Sequence, residues 1–399
     1  MKKVLIIGAG RSGRGMLGEL YDADQFNITF ADINSNLIEG LRNQGYYTVQ
    51  MKEIATGKCV ERTIENYSVL DVSKEYDTYI ATFAKFKYVS IAVMAEDFDS
   101  VSKAISDMII YRKENNIKDT MYITLGANYV GLRKKFEELI NEYLKDYKIC
   151  PNDVNVHLLM SIVNRKNLLP ENAENLQDHY RVIGDNKPVL RVDDDDLLRE
   201  EKDLPSFFRL ENNLDAAMAI KIWTGNVVQC SMAFVALQKN YEYTDEAAND
   251  NDSSRYAYFA SKEAYEAVKQ EYGLSERSEE ESKYTVTIFR STKFRDSLYR
   301  IARQPIRKFK KNDRFVGPAL CCLKHGIVPY YITLCLAYGF LYRNPKEPDT
   351  ILIEKYINEK GIQKAIIHFC ELNLKNENER IVYELVLNHY YYITNYQPI

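Results

Sequence analysis

The stretch GAGRSG constrains this chain more than any other. It places Gly8, Gly10 and Gly13 at the end of the apolar run KVLIIGAG (3–10) and at the opening of a helix-like stretch. A second β-rich run, NITFADI (27–33), then carries Asp32 near its end. A bare GxGxxG means little, but strand, glycine turn, helix and acidic residue in this order mark a dinucleotide site. Gly8 permits the tight turn, Gly10 lets a pyrophosphate approach the backbone, and Gly13 lets the helix pack close to the strand. The phosphates then meet a helix N-terminus, where unpaired N–H groups and the dipole favour negative charge. Arg11 and Ser12 sit at that start, and Arg11 and Arg14 either touch phosphate or are solvated. A carboxylate at Asp32 accepts hydrogen bonds from a ribose diol and repels a 2′-phosphate, so NAD is expected over NADP.

Further β-rich runs follow at 47–51, 88–95, 121–128 and 154–164, with helical stretches at 97–115 and 129–147 between them. Alternating β and α elements predict a parallel sheet covered on both faces, an α/β fold of the Rossmann-type doubly wound kind. VLRVDDDD (189–196) reads as a last strand or hairpin entering an acidic loop. The charge run 193–203 reads as a solvated domain boundary. After Pro205 helical spacing dominates, at 214–238, 255–272, 291–302, 315–325, 331–341 and 350–359. The expected organisation is a dinucleotide-binding domain over 1–200 with added strands, and a mostly α-helical substrate and catalytic domain over 201–399.

A net charge of −4 gives no global basic field for nucleic acid and no polybasic tail for a membrane surface. The start MKKVLIIGAG lacks a long apolar core and a cleavage site, so it reads as a strand and not a signal peptide. Seven scattered cysteines form no CxxC pair and no Cys/His cluster at zinc spacing. They read as reduced thiols of a cytoplasmic protein whose chemistry needs no metal.

From 216 to 238 the only charged residue is Lys221, in a chain that is 28% charged. Thr224, Asn226, Gln229 and Ser231 in that stretch favour a buried core helix over a membrane span. An ammonium in a neutral helix loses hydration, which favours the free amine and makes the lysine a candidate general base. On an ideal helix Asn226 lies about 140° and Gln229 about 80° around from Lys221. The bland alternative is a lysine snorkelling at a helix edge.

The glycine loop with FADIN after it resembles the start of the mannitol-1-phosphate 5-dehydrogenases, a branch of the long-chain polyol dehydrogenases. ITLGANYVGLRKKF (123–136), NLDAAMAIKIWTGNVVQCSMAF (213–234) and RIARQPIRKFKKNDRFVGPAL (300–320) extend the resemblance in order. It implies that Lys221 is the catalytic lysine, with Asn226 and Asn128 as amide donors to the reacting oxygen. Gln229 stands where that family has histidine, Ala127 where it has glutamate, and Asn164-Arg165 where it has Asp-Arg. A second register sets WTGN against the family's Asn-Thr-Gly-His and implies an inactive protein. The first register needs no gap from 213 to 234. Arg303, Arg307 and Lys308 are the residues expected to hold a substrate phosphate, within six cations over 300–311. The resemblance implies a small-molecule polyol phosphate as substrate and leans to a monomer.

Overall fold

The computed structural model describes residues 2–53, 58–165, 167–170, 177–292 and 295–396. The chain divides into two compact units, Met1–Asp215 and Ala216–Ile399.

The described strands of the first unit are β1 (Lys3–Ile7), β2 (Asn27–Asp32), β3 (Tyr47–Lys52), β4 (Cys59–Ile64), β5 (Tyr67–Asp71) and β6 (Tyr88–Ile91). They continue with β7 (Met121–Leu125), β8 (Val156–Ile162), β9 (Asn167–Leu168), β10 (Val182–Asp185), β11 (Leu190–Asp193) and β12 (Phe208–Glu211). Among the described residues they build an eight-stranded sheet in the order β12-β11-β8-β7-β6-β1-β2-β5. The pairs from β5 to β8 are parallel, and only β8 and β11 run antiparallel. β6 and β7 are buried along their whole length, as parallel strands covered on both faces should be. The order reverses at β1, which has β2 on one side and β6 on the other. In sheets of this kind ligands bind outside the carboxyl ends of the strands at such a switch point.

Two features depart from the sequence expectation. The run at 47–51 is a strand, but it joins a separate four-stranded sheet, β4-β3-β10-β9. The acidic run 193–203 is not simply a solvated boundary. Asp193 is buried and paired with Arg133, while Glu201 and Asp203 hold the Lys87 ammonium at 2.6 and 2.5 Å. The sheet then continues past the run, because β12 pairs in parallel with β11.

The second unit is helical. Its central helix, Leu214–Leu237, is long and apolar enough to cross a membrane by composition, yet 61% of its most apolar window is buried. Val227, Val228, Met232 and Phe234 form the middle of this unit's core. Phe234 meets Phe309, Phe315 and Tyr342 with ring centroids 5.8–6.0 Å apart. Helix Asn251–Tyr272 buries Ala257, Ala260, Ala264 and Ala267, a small-residue stripe at helical spacing that lets neighbouring helices approach closely. Its N-cap Asp250 accepts from the Ser253 N–H at 2.9 Å, and Gly273 ends it in the left-handed region. Among its described residues the expected helix over 291–302 is helical only at Leu298–Ala302, and a single turn, Ile288–Arg290, precedes it; residues 293–294 lie outside the described residues. Helices Ile362–Phe369 and Glu377–Tyr396 complete the unit.

Candidate active site

In the first unit, a cavity of about 500 Å³ opens over the carboxyl ends of β1, β2 and β6, lined among others by Gly8, Gly10, Asp32, Ser73 and Val93. The glycines divide by role. Gly8 has φ +97°, and a Cβ built there would lie 2.5 Å from the Ala92 carbonyl oxygen. A Cβ at Gly13 would lie 1.9 Å from the Gly8 carbonyl oxygen. Packing alone therefore demands these two glycines. A Cβ at Gly10 meets no protein atom within 4 Å, so packing gives no reason for Gly10.

The helix after the loop is wound as a π-helix over Gly13–Gly18 and as an α-helix over Glu19–Ala23. The Arg14 N–H donates to the Gly10 carbonyl at 3.0 Å, closing the first turn. The amides ahead of it, including those of Arg11 and Ser12, are the ones a helix start leaves for an anion. Arg11 is exposed, whereas Arg14 is buried. Arg14 donates to the Ala9 and Tyr180 carbonyls and so is neither solvated nor placed on phosphate. It braces the loop from behind.

Asp32 is held in place from both sides. Its Oδ2 accepts from the Ala9 N–H at 2.7 Å and its Oδ1 from the Asn34 N–H at 2.9 Å. Each oxygen keeps a further lone pair for a hydroxyl. Ile33 and Met94 line the same cavity and are 59% and 52% exposed. The sequence reading did not single them out. Large apolar side chains held open at a cavity mouth suit a flat apolar ligand surface.

The parallel register puts the end of β7 on the same sheet edge as the glycine loop. Asn128 lies three residues past that end and is exposed. Arg165, next to Asn164, is buried with Nη1 on Glu19 at 2.8 Å and on the Gly15 carbonyl at 2.9 Å. It ties the end of β8 to the helix after the glycine loop.

In the second unit, Lys221 lies in a π-helical segment, Ile220–Asn226, which interrupts the central helix. The Thr224 hydroxyl donates to the Ile220 carbonyl at 2.7 Å, and the Ser261 hydroxyl donates to the Thr224 carbonyl at 3.0 Å. Side chains thus satisfy carbonyls that the wide turn takes out of the α-helical ladder. A π turn closes i to i+5, about one residue wider than an α turn. The angle between residues five apart is then smaller than the one an ideal α-helix gives. Lys221, Asn226 and Gln229 are all partly exposed in a helix whose other sides are largely buried.

The basic segment is broken, not continuous. Helix Leu298–Ala302 ends before Arg303, Gln304 takes φ +53°, and Pro305 opens helix Pro305–Phe309. Arg303 and Arg307 therefore do not share one helix. Arg303 is exposed, 4.0 Å from Glu347, and borders a cavity of about 560 Å³ with Tyr299, Lys346 and Asp349. Arg307 pairs with Asp313 at 3.0 Å. Lys308 is buried and donates to the Ile301 carbonyl at 2.6 Å and to that of Arg303. Burial, with Arg314 and Arg307 nearby, pushes its ammonium down to about 8. Lys310 and Lys311 pair with Glu371 and Glu379.

Comparison with known proteins matches both units. The family model described as the mannitol dehydrogenase Rossmann domain matches residues 2–186, and that of the mannitol dehydrogenase C-terminal domain matches 213–370. A mannitol-1-phosphate 5-dehydrogenase of Oceanobacillus iheyensis is 27% identical over 92% of this chain and 93% of its own. That of Thermoanaerobacter pseudethanolicus is 24% identical over 97% of each. Among solved structures, Pseudomonas fluorescens mannitol 2-dehydrogenase in a ternary complex with NAD and D-mannitol superposes with a TM-score of 0.72. It does so at 15% identity, over 99% of this chain and 92% of that one. A D-sorbitol dehydrogenase in substrate-free form gives a TM-score of 0.65 at 12% identity, over 98% and 93%.

Proposed function

Because this chain belongs to the mannitol dehydrogenase family, we propose that it is an NAD-dependent dehydrogenase interconverting a polyol phosphate and a ketose phosphate. Mannitol 1-phosphate and fructose 6-phosphate are the first candidates, by likeness to the curated relatives. The observation that carries the reading is the widened turn Ile220–Asn226, which contains both Lys221 and Asn226 and has the lysine as its one charged residue.

Gly8, Gly10, Gly13 and the amides of Arg11 and Ser12 would hold the pyrophosphate, and Asp32 the adenosine ribose. NAD, when bound, supplies the acceptor for the hydride. The remaining roles fall to side chains of this chain. Lys221 takes the hydroxyl proton at Nζ. Asn226 and Asn128 donate amide N–H groups to the oxygen as it gains charge. Gln229 bonds a sugar hydroxyl or holds the lysine, but it cannot titrate as a histidine would. Arg303 and Arg307 carry the phosphate, and Lys308, tied to two carbonyls, fixes the turn that presents them and adds its charge from behind. Free thiols at all seven cysteines suit a reducing, cytoplasmic setting.

A panel of ketoses and ketose phosphates with NADH, followed by loss of NADH absorbance, tests the reading. Fructose 6-phosphate should be reduced faster than fructose. Turnover of fructose alone would move the substrate to an unphosphorylated polyol, which the changes at Gln229 and Ala127 leave room for. NADH binding without any turnover would make the protein a silent cofactor-binding homologue. Arg303→Ala and Arg307→Ala should each raise the KM for fructose 6-phosphate about ten- to a hundredfold, the scale of one lost charge-assisted contact. Activity on fructose should hardly change.

A further inference from the structure

Outside the regions used above, the second unit gathers three metal-ligating side chains, two from one helix end and one from a helix some fifty residues earlier. Cys321 and His325 are four residues apart at the end of helix Val316–Lys324, so they share one side of it. Glu271 comes from the last turn of helix Asn251–Tyr272. The thiol, the imidazole and a carboxylate oxygen all lie within 4.8 Å of one another. His325 Nε2 is already 2.7 Å from Glu271 Oε2. Both helices point their C-terminal ends here, and the partial negative charge of helix C-termini favours a cation. Part of that demand is met by Lys324, whose ammonium lies 2.7 Å from both Glu271 oxygens.

We propose that Glu271, Cys321 and His325 form a site for a borderline divalent transition metal, zinc first among them, which clamps the ends of these two helices together. One sulfur, one nitrogen and one oxygen donor suit zinc. Magnesium and calcium, which take oxygen ligands, are poorly served by such a set. Small side-chain shifts bring the three donors to about 2.0–2.3 Å from a common centre. The thiol proton leaves to solvent as the metal binds. Lys324 must yield at least one carboxylate oxygen, so it acts as a built-in competitor. The site is separate from the proposed chemistry and does not depend on it.

The test is a titration of the metal-stripped full-length chain with Co²⁺, read by the thiolate-to-cobalt charge-transfer band and by displacement with Zn²⁺. One equivalent should bind, with the band present, and Mg²⁺ should not displace it. Cys321→Ser should abolish the band. His325→Gln, at a more open position, should weaken binding by at least about tenfold, a loss that even outer-shell partners produce. Lys324→Gln should tighten it. Zinc should raise the Tm of the wild type and not that of His325→Gln. A band that survives in Cys321→Ser would belong to the exposed Cys59 or Cys150 and would overturn the assignment. So would equal affinity in wild type and His325→Gln.

Discussion

The helix after the glycine loop and the helix of Lys221 each contain a π-helical segment, and the two segments differ. In Gly13–Gly18 the wide turn is lined with glycine. A Cβ at Gly15 would lie 2.4 Å from Val182, and one at Gly18 would lie 2.3 Å from the Tyr47 hydroxyl. There the turn lets a helix press onto strands on more than one side. In Ile220–Asn226 a Cβ at Gly225 would make only ordinary contact, 3.7 Å from the Ile220 carbonyl. Here the turn is stitched by the Thr224 and Ser261 hydroxyls. The same backbone device is close-packed on glycine in one unit and held by side-chain hydroxyls in the other.

The comparison breaks most sharply at Lys221. Lys221→Met should leave NADH binding nearly intact and cut polyol oxidation by at least about 10²-fold, the lower scale of general base catalysis. A mutant close to wild-type rate would end the base assignment and leave the second π segment without a chemical reason.

Next in size is the contrast between two glycines of the first loop. Gly13→Ala drives a methyl into a backbone carbonyl that cannot move aside. It should cost stability at the upper end of the about 1–3 kcal/mol range of overpacking, seen as a lower Tm. Gly10→Ala should keep the wild-type Tm and weaken NADH binding. Equal Tm losses in both would mean that Gly10 is a packing glycine too.

Asp32→Ala comes third. It should shrink the preference for NADH over NADPH by about tenfold, the value of one hydrogen bond to a charged group. A wild type that uses both cofactors equally would remove the premise.

The smallest effect is expected at Thr224. Thr224→Val removes the hydroxyl that satisfies the Ile220 carbonyl and should cost about 1 kcal/mol in urea unfolding. If the wide turn aims Asn226, kcat should fall as well. A loss of stability with unchanged kcat would make the second π segment a packing feature like the first.

These contrasts also mark what the sequence could reveal. The glycine loop was legible because a tight turn, a packed helix and a ligand approach all need glycine at fixed spacing. The buried parallel strands were legible as apolar runs. β4, with the sequence CVERTI and mostly exposed, carries no such run. The membership of β3 in a second sheet rests on pairing with β10, more than a hundred residues on. Lys221 stood out by the neutrality around it. The π turn did not, because the same residues satisfy an α-helical period until one extra residue per turn is accommodated. Nor did the burial of Lys308, whose partners are backbone carbonyls and leave no mark on residue type.

The late arrival of β12 bears on how the first unit can be handled on its own. A fragment cut at residue 200, inside the acidic run, would keep β11 and lose the strand that covers it. Its open edge, the backbone of Leu190–Asp193, would then be a template for pairing with other chains. Extending the cut to residue 215 keeps β12 in place, and that is the boundary to choose for a soluble cofactor-binding fragment.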